Sequence, residues 1–204
     1  KPAEALIFSI LTGIISIVGF WSLFNPLAGS LAFGTIAFYS FFYTLYLKPR
    51  TPMNIVIGGA AGSMAPVIAW AAAANSLSVI PLLLFAIIFF WTPPHFWALA
   101  LCLKEDYKKV SYPMLPVVVG DSETWKQIVK YTVVTLVFSV ILSLTGSGIF
   151  YLAGAAILGG LFIRKAVNAR AAGSIKAARG VFGYSIVYLL ALFTAMMIDK
   201  GIGL

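Results

Sequence analysis

Charge is what this sequence has least of. Only 10% of its 204 residues are charged, six are acidic, and there is a single histidine and a single cysteine. Soluble globular domains carry about 25% charged residues, so that class is excluded. Disorder is excluded too, because a 61% hydrophobic composition and a mean hydropathy of +1.00 leave apolar surface in excess. The lone Cys102 excludes a disulfide or a multi-cysteine zinc site within the chain. No small-residue cleavage site follows a short apolar run after Lys1, so no cleavable signal peptide is expected. There is no internal repeat and no soluble stretch of domain size, which leaves one domain over residues 1–204.

What is present is apolar sequence in lengths that cross a bilayer. A spanning helix needs about 20 apolar residues to cover a hydrocarbon core of about 30 Å. Seven such runs are expected: Ala3 to Phe24, Leu27 to Leu47, Met53 to Ala74, Val79 to Leu103, Gln127 to Leu144, Gly148 to Ile163 and Val181 to Ile198. A long polar loop up to Lys126, containing a Gly120-Asp121-Ser122 turn signal, separates the fourth run from the fifth. A basic loop, Arg164 to Arg179, separates the sixth from the seventh. The fold class is therefore all-α, a polytopic membrane bundle.

The net charge of +8 raises nucleic acid as a partner, but its distribution argues against it. Alternating the loops across a membrane puts 13 of the 14 basic residues on one side and Lys200 alone on the other. The basic side is expected to be cytoplasmic. A miscounted span in the middle of the chain would scramble that partition.

The stretch from Trp91 to Pro116, WTPPHFWALALCLKEDYKKVSYPMLP, is the least ordinary. It starts in an apolar run, is expected to break or kink at Pro93-Pro94, and leaves through Lys104-Glu105-Asp106-Tyr107-Lys108-Lys109. Glu105 and Asp106 read either as a solvated helix end balanced by lysines or as a carboxylate site for a magnesium ion carrying a phosphorylated ligand. Lys48 and Arg50 read either as positive-inside anchors or as a diphosphate clamp. Tyr39, Tyr43 and Tyr46 are four and three apart, which puts them on one face of an α-helix. That stripe suits an interfacial belt, core packing or a π-rich wall for a cationic or prenyl intermediate. His95, the one clearly intramembrane ionisable group, either bonds a carbonyl freed by Pro94 or touches a polar or iron-bearing substrate. Gly58-Gly59-Ala60-Ala61-Gly62 lacks the strand of a nucleotide loop and reads as close helix packing.

Three segments, YTLYLKPRTPMNIVIGGAAGSMAPVIAWAA (Tyr43 to Ala72), WTPPHFWALALCLKEDYKKVSYPMLPVV (Trp91 to Val118) and FGYSIVYL (Phe182 to Leu189), are similar to the protoheme IX farnesyltransferase (heme O synthase) branch of the UbiA-type intramembrane prenyltransferases. The resemblance runs nearly end to end. It implies a bundle of nine helices around a cavity open to the cytoplasm and to lipid. The chain opens at KPAEAL, which resembles the start of the third family helix. The expectation is that the first two family helices and the first of two acidic motifs lie outside it.

The implied reaction joins the farnesyl group of farnesyl diphosphate to a vinyl group of heme B, with addition of water, giving heme O and diphosphate. The resemblance implies Asp106 as the magnesium ligand of the second acidic motif. Lys48, Arg50 and Tyr107 are expected as further catalytic residues. Substrate contacts are expected from Lys104, His95, Tyr43, Asn54 and Trp97. The implied partners are the two substrates, the bilayer, and heme A synthase or the terminal-oxidase assembly machinery. The implied place is the cytoplasmic membrane, with the site loops on its cytoplasmic face. Two other readings are a superfamily member with an aromatic or quinone-precursor acceptor and a non-catalytic heme-handling protein. Transport is disfavoured by the lack of a duplicated pair of broken helices.

Overall fold

The computed structural model describes residues 1–110, 112–146 and 148–201; Ser111, inside the Trp91–Pro116 stretch, lies outside the described residues. Those residues are mostly helical, with short turns between helices and no strand among them, and seven segments are long and apolar enough to cross a membrane. The protein is a multi-pass membrane protein of the expected all-α class. α1 (Pro2–Gly19) runs on through a π-helical turn, Phe20–Phe24, to Asn25. α2 (Pro26–Ala37) starts there because the Asn25 side chain accepts from the Ala28 N–H and Pro26 pre-sets the first turn. It continues as a ten-residue π-helix, Phe38–Leu47. The third span is two helices, α3 (Asn54–Ser63) and α4 (Ala65–Ala74), which meet at Met64 ahead of Pro66. Pro66 lacks the N–H that would continue the ladder.

α5 (Val79–Cys102) is the central post of the bundle and packs against α3, α4, α8 and α10. The expected break at Pro93-Pro94 does not occur, and the helix is continuous through both prolines. Both are buried between neighbouring helices, whose packing holds the rod together where hydrogen bonds are missing. Short α6 (Lys104–Lys109) and α7 (Leu115–Val118) follow, and then α8 (Gly120–Ser143), α9 (Ile149–Ala172) and α10 (Ile175–Gly201).

Two loops expected from the sequence are helix instead. Gly120-Asp121-Ser122 is not a turn inside a loop but the first turn of α8, where Asp121 and Glu123 favour the positive end of the helix dipole. The basic segment Arg164 to Arg179 is not a loop either: α9 extends to Ala172 and α10 begins at Ile175. Gly173, at φ +58, makes the left-handed stop between them. Alanine-rich sequence carries helix past the apolar segment, and hydropathy marks only where apolar side chains end.

Besides the half-buried His95, a carboxylate is buried at the end of the last span. Asp199 is fully buried at the end of α10, where its carboxylate accepts from the backbone N–H groups of Gly148 (2.6 Å) and Tyr151 (3.1 Å) at the start of α9. Lys200 donates to the Gly146 carbonyl in the same turn.

Candidate active site

The glycines of α3 decide where a cavity can exist. A Cβ on Gly58 would meet the Tyr43 ring at 2.3 Å, so Tyr43 lies directly on the α3 backbone. A Cβ on Gly59 would come within 3.0 Å of the Thr92 methyl on α5. Gly62 has nothing within 4 Å and faces open space. The packing role read for this glycine run thus holds at Gly58 and Gly59, while Gly62 lines a void. The void is a cavity of about 310 Å³ walled by Tyr39 and Tyr43 from α2, by α3, and by Ile88, Trp91, Thr92 and Phe96 from α5. That is the lower end of the range for small-molecule sites, about 300–1,000 Å³, and the lining is largely apolar and aromatic.

The tyrosine stripe differs from its α-helical expectation. Tyr39 and Tyr43 pack in a tilted pair at 5.0 Å and face the cavity, whereas Tyr46 stacks at 6.0 Å on Phe42 and does not line it. Bonds closing at i→i+5, as in Lys48 N–H to the Tyr43 carbonyl (2.8 Å), put more residues in each turn. Neighbours four apart then remain in contact, while those three apart rotate off the stripe.

At the basic end of α2, Lys48 Nζ stands 5.4 Å from the Tyr112 ring centroid, and the Arg50 guanidinium lies 4.6 Å over Tyr46. Arg50 also donates to the carbonyls of Leu45 and Tyr46, which caps the π-helix. Neither cation has a carboxylate partner among the described residues. Aromatic faces and carbonyls leave both charges uncompensated, as an anion site requires. Through Tyr112, whose backbone N–H donates to the Tyr107 carbonyl (3.3 Å), the segment after α6 reaches Lys48.

On α6 the lysines do balance the acids. Lys108 pairs with Glu105 at 2.7 Å and Lys109 with Asp106 at 3.0 Å. Exposed pairs of this kind contribute about 1 kcal/mol or less, so a carboxylate is released to another ligand at little cost. No group of three metal-ligating side chains exists among the described residues. A magnesium ion held by one or two carboxylates and by phosphate oxygens does fit this donor set.

Three expected substrate contacts sit elsewhere. Trp97 is fully buried, edge-on to Tyr131 at 5.2 Å in the core between α5 and α8, and does not line the cavity. Asn54 is buried and its side-chain amide donates to the Lys48 carbonyl (3.2 Å), so it braces the Lys48–Met53 turn. Lys104 is joined to Asp121 at 2.6 Å, which ties α6 to the start of α8. All three lie in the right motifs but face inward or sideways, an orientation that spacing does not specify.

Among the described residues His95 bonds a hydroxyl and no carbonyl. Its Nδ1 lies 2.7 Å from the Ser185 hydroxyl of α10, and its ring is stacked between Trp91 (4.5 Å) and Phe182 (4.6 Å). Trp91 Nε1 donates to the Ser185 carbonyl at 2.8 Å. Sequence reading assigned no role to Ser185, Thr92, Phe96 or Tyr112. Ser185 does fall in the quoted FGYSIVYL segment, which was the available signal.

No solved structure matches the chain. It is 49% identical over 203 residues to the protoheme IX farnesyltransferase of a Synechocystis species, which is 98% of this chain and 64% of that protein. It is 46% identical to the enzyme of that name from Nitrosococcus oceani over 96% of the chain, and 44% identical to the one from Parvibaculum lavamentivorans over 98%. The chain thus spans a little under two thirds of the length of these relatives. The UbiA prenyltransferase family matches over residues 1–187, and the chain belongs to that family.

Proposed function

We propose that the protein transfers the farnesyl group of farnesyl diphosphate to a vinyl group of heme B, with addition of water, yielding heme O and diphosphate at the cytoplasmic face of the cell membrane. The observation that carries this reading is an aromatic cavity walled by Tyr43, with the uncompensated Lys48 and Arg50 at the end of the same π-helix and Tyr112, just beyond the acidic helix α6, against Lys48. An allylic diphosphate has those three parts: an apolar chain, a polyanionic head and a need for a divalent cation. The name shared by the relatives supports heme as the acceptor.

Lys48 and Arg50 stabilise the charge that develops on the departing diphosphate. Asp106 would hold magnesium, which would supply charge neutralisation of the diphosphate. Tyr107, next to Asp106 on α6, offers its hydroxyl to the diphosphate. Tyr39, Tyr43, Trp91 and Phe96 surround the allylic carbon with π faces and keep water from the cation until the vinyl group attacks. Water then captures the cation beside the porphyrin ring. The cavity suits one isoprenoid chain, so the porphyrin takes a neighbouring surface.

The test is Asp106→Ala in the full-length protein, with heme O formation measured at limiting magnesium. A loss of about 100-fold or more is expected when a preorganised charge contact at the leaving group is removed. Near-normal activity would sink the clamp. Supplying aromatic acceptors in place of heme B tests the substrate, and turnover with those alone would overturn heme as acceptor.

A further inference from the structure

We infer that Ser185 is the positioning residue for His95, holding its proton on Nδ1 so that Nε2 stands as a free base for the iron of the porphyrin substrate. The assignment of iron as ligand rests on the reaction proposed above; the tautomer rests on hydrogen-bond geometry alone.

Ser185 Oγ lies 2.6 Å from the Phe182 carbonyl and 2.7 Å from His95 Nδ1. Two oxygens at 2.6 Å repel unless a proton lies between them, and only the serine hydroxyl has one to give. The hydroxyl therefore donates to Phe182, and toward His95 it can only accept. Nδ1 must then carry the hydrogen, which leaves the lone pair of the neutral ring on Nε2. This reverses the preference of a free imidazole. Metal-ligating histidines commonly donate their other N–H to a fixed oxygen, which sets both tautomer and ring angle.

The rest of the ring is fixed as firmly. Trp91 covers one face, Phe182 lies against the ring at 4.6 Å, and Phe96 meets it edge-on at 5.0 Å. The same serine anchors Trp91 through its carbonyl, so one residue of α10 orients two aromatic side chains of α5. With both faces and the Nδ1 edge engaged, the accessible part of this half-buried ring is the Nε2 edge, and Nε2 is not among the buried unpaired atoms. The site borders the prenyl cavity through Trp91. That residue lines the cavity on one side and, on the other, an apolar groove of about 380 Å³ along α10. A flat apolar acceptor bound through iron at Nε2 would have such a groove to lie against, next to the chain it receives.

The test uses full-length protein in nanodiscs, labelled at histidine with the heavy nitrogen isotope. The difference against His95→Gln isolates the ring of interest. Wild type is expected to show a protonated Nδ1 and a bare Nε2. Ser185→Thr, which keeps the hydroxyl, should show the same, and Ser185→Ala should shift the proton toward Nε2. A wild-type ring protonated on Nε2 overturns the inference. Hemin titration gives the second reading: Ser185→Ala should weaken binding about 10- to 100-fold, as loss of such a partner does elsewhere, with Ser185→Thr close to wild type. An unchanged hemin affinity and absorption spectrum in Ser185→Ala or His95→Gln overturns the iron assignment. Protein that shows the tautomer and ligates hemin yet forms no prenylated porphyrin supports the inference while sinking the proposed reaction.

Discussion

Gly58 shows how much a single missing atom decides. The helix around it would gain about 1 kcal/mol from alanine by propensity, but the added Cβ would sit 2.3 Å from the Tyr43 ring. Overpacking of that kind costs about 1–3 kcal/mol, so Gly58→Ala is expected to lower thermal stability slightly and to displace Tyr43 from the cavity wall. Gly62→Ala adds its methyl to open space and should unfold at the wild-type temperature or a little above. Melting curves of the two variants side by side check this, and equal losses would remove the argument from close approach. The glycine run was legible as packing from its four-residue spacing, but nothing in the spacing says which glycine touches a ring and which faces a void. Trp97 and Asn54 teach the same lesson. Each sits in a distinctive motif, and each is buried in packing away from the cavity lining.

At the level of elements, the π-helical end of α2 reshapes the site most. It keeps Tyr39 and Tyr43 together and sends Tyr46 away to stack under Arg50. Tyr43→Phe keeps the ring on Gly58 and should retain packing, whereas Tyr43→Ala removes a cavity wall. Prenyl transfer by Tyr43→Ala should fall well below that of Tyr43→Phe, and equal rates would argue against a wall role. At the opposite end of the bundle, Asp199 caps α9 from α10. Asp199→Ala leaves buried N–H groups of Gly148 and Tyr151 without their acceptor, at a cost of about 1–3 kcal/mol. A lower unfolding midpoint is expected, and no shift would mean that water replaces the carboxylate. This cap was not legible in advance, because hydropathy ends the last span at Ile198 and leaves the carboxylate looking like part of a tail.

Over the whole molecule, the division of basic residues predicts which ends face the cytoplasm. In a Cys102→Ser background, cysteines placed at Lys109 and Arg170 should react with an impermeant maleimide only in inverted vesicles, and one at Ser76 only in intact cells. Labelling of all three from one side would overturn the alternation. The count of seven spans came directly from apolar run lengths, since the bilayer imposes one minimum length on every crossing helix. The helical extensions of α8, α9 and α10 beyond the apolar segments were hidden, because polar and alanine-rich residues continue a helix without a hydropathy signal.

Sequence alone therefore determined what the membrane enforces and what the motifs carry: an all-α bundle, seven spans, the separation of charge, and the segments from which a site would be drawn. Those follow from local composition and linear order. Tertiary structure alone decided which side chains in those segments meet. It put Tyr43 on Gly58, left Lys48 and Arg50 without acidic partners, turned Trp97 inward, and brought Ser185 to His95 across 90 residues of chain. Such choices depend on how helices rotate and approach one another in space, and a one-dimensional spacing holds no record of that rotation.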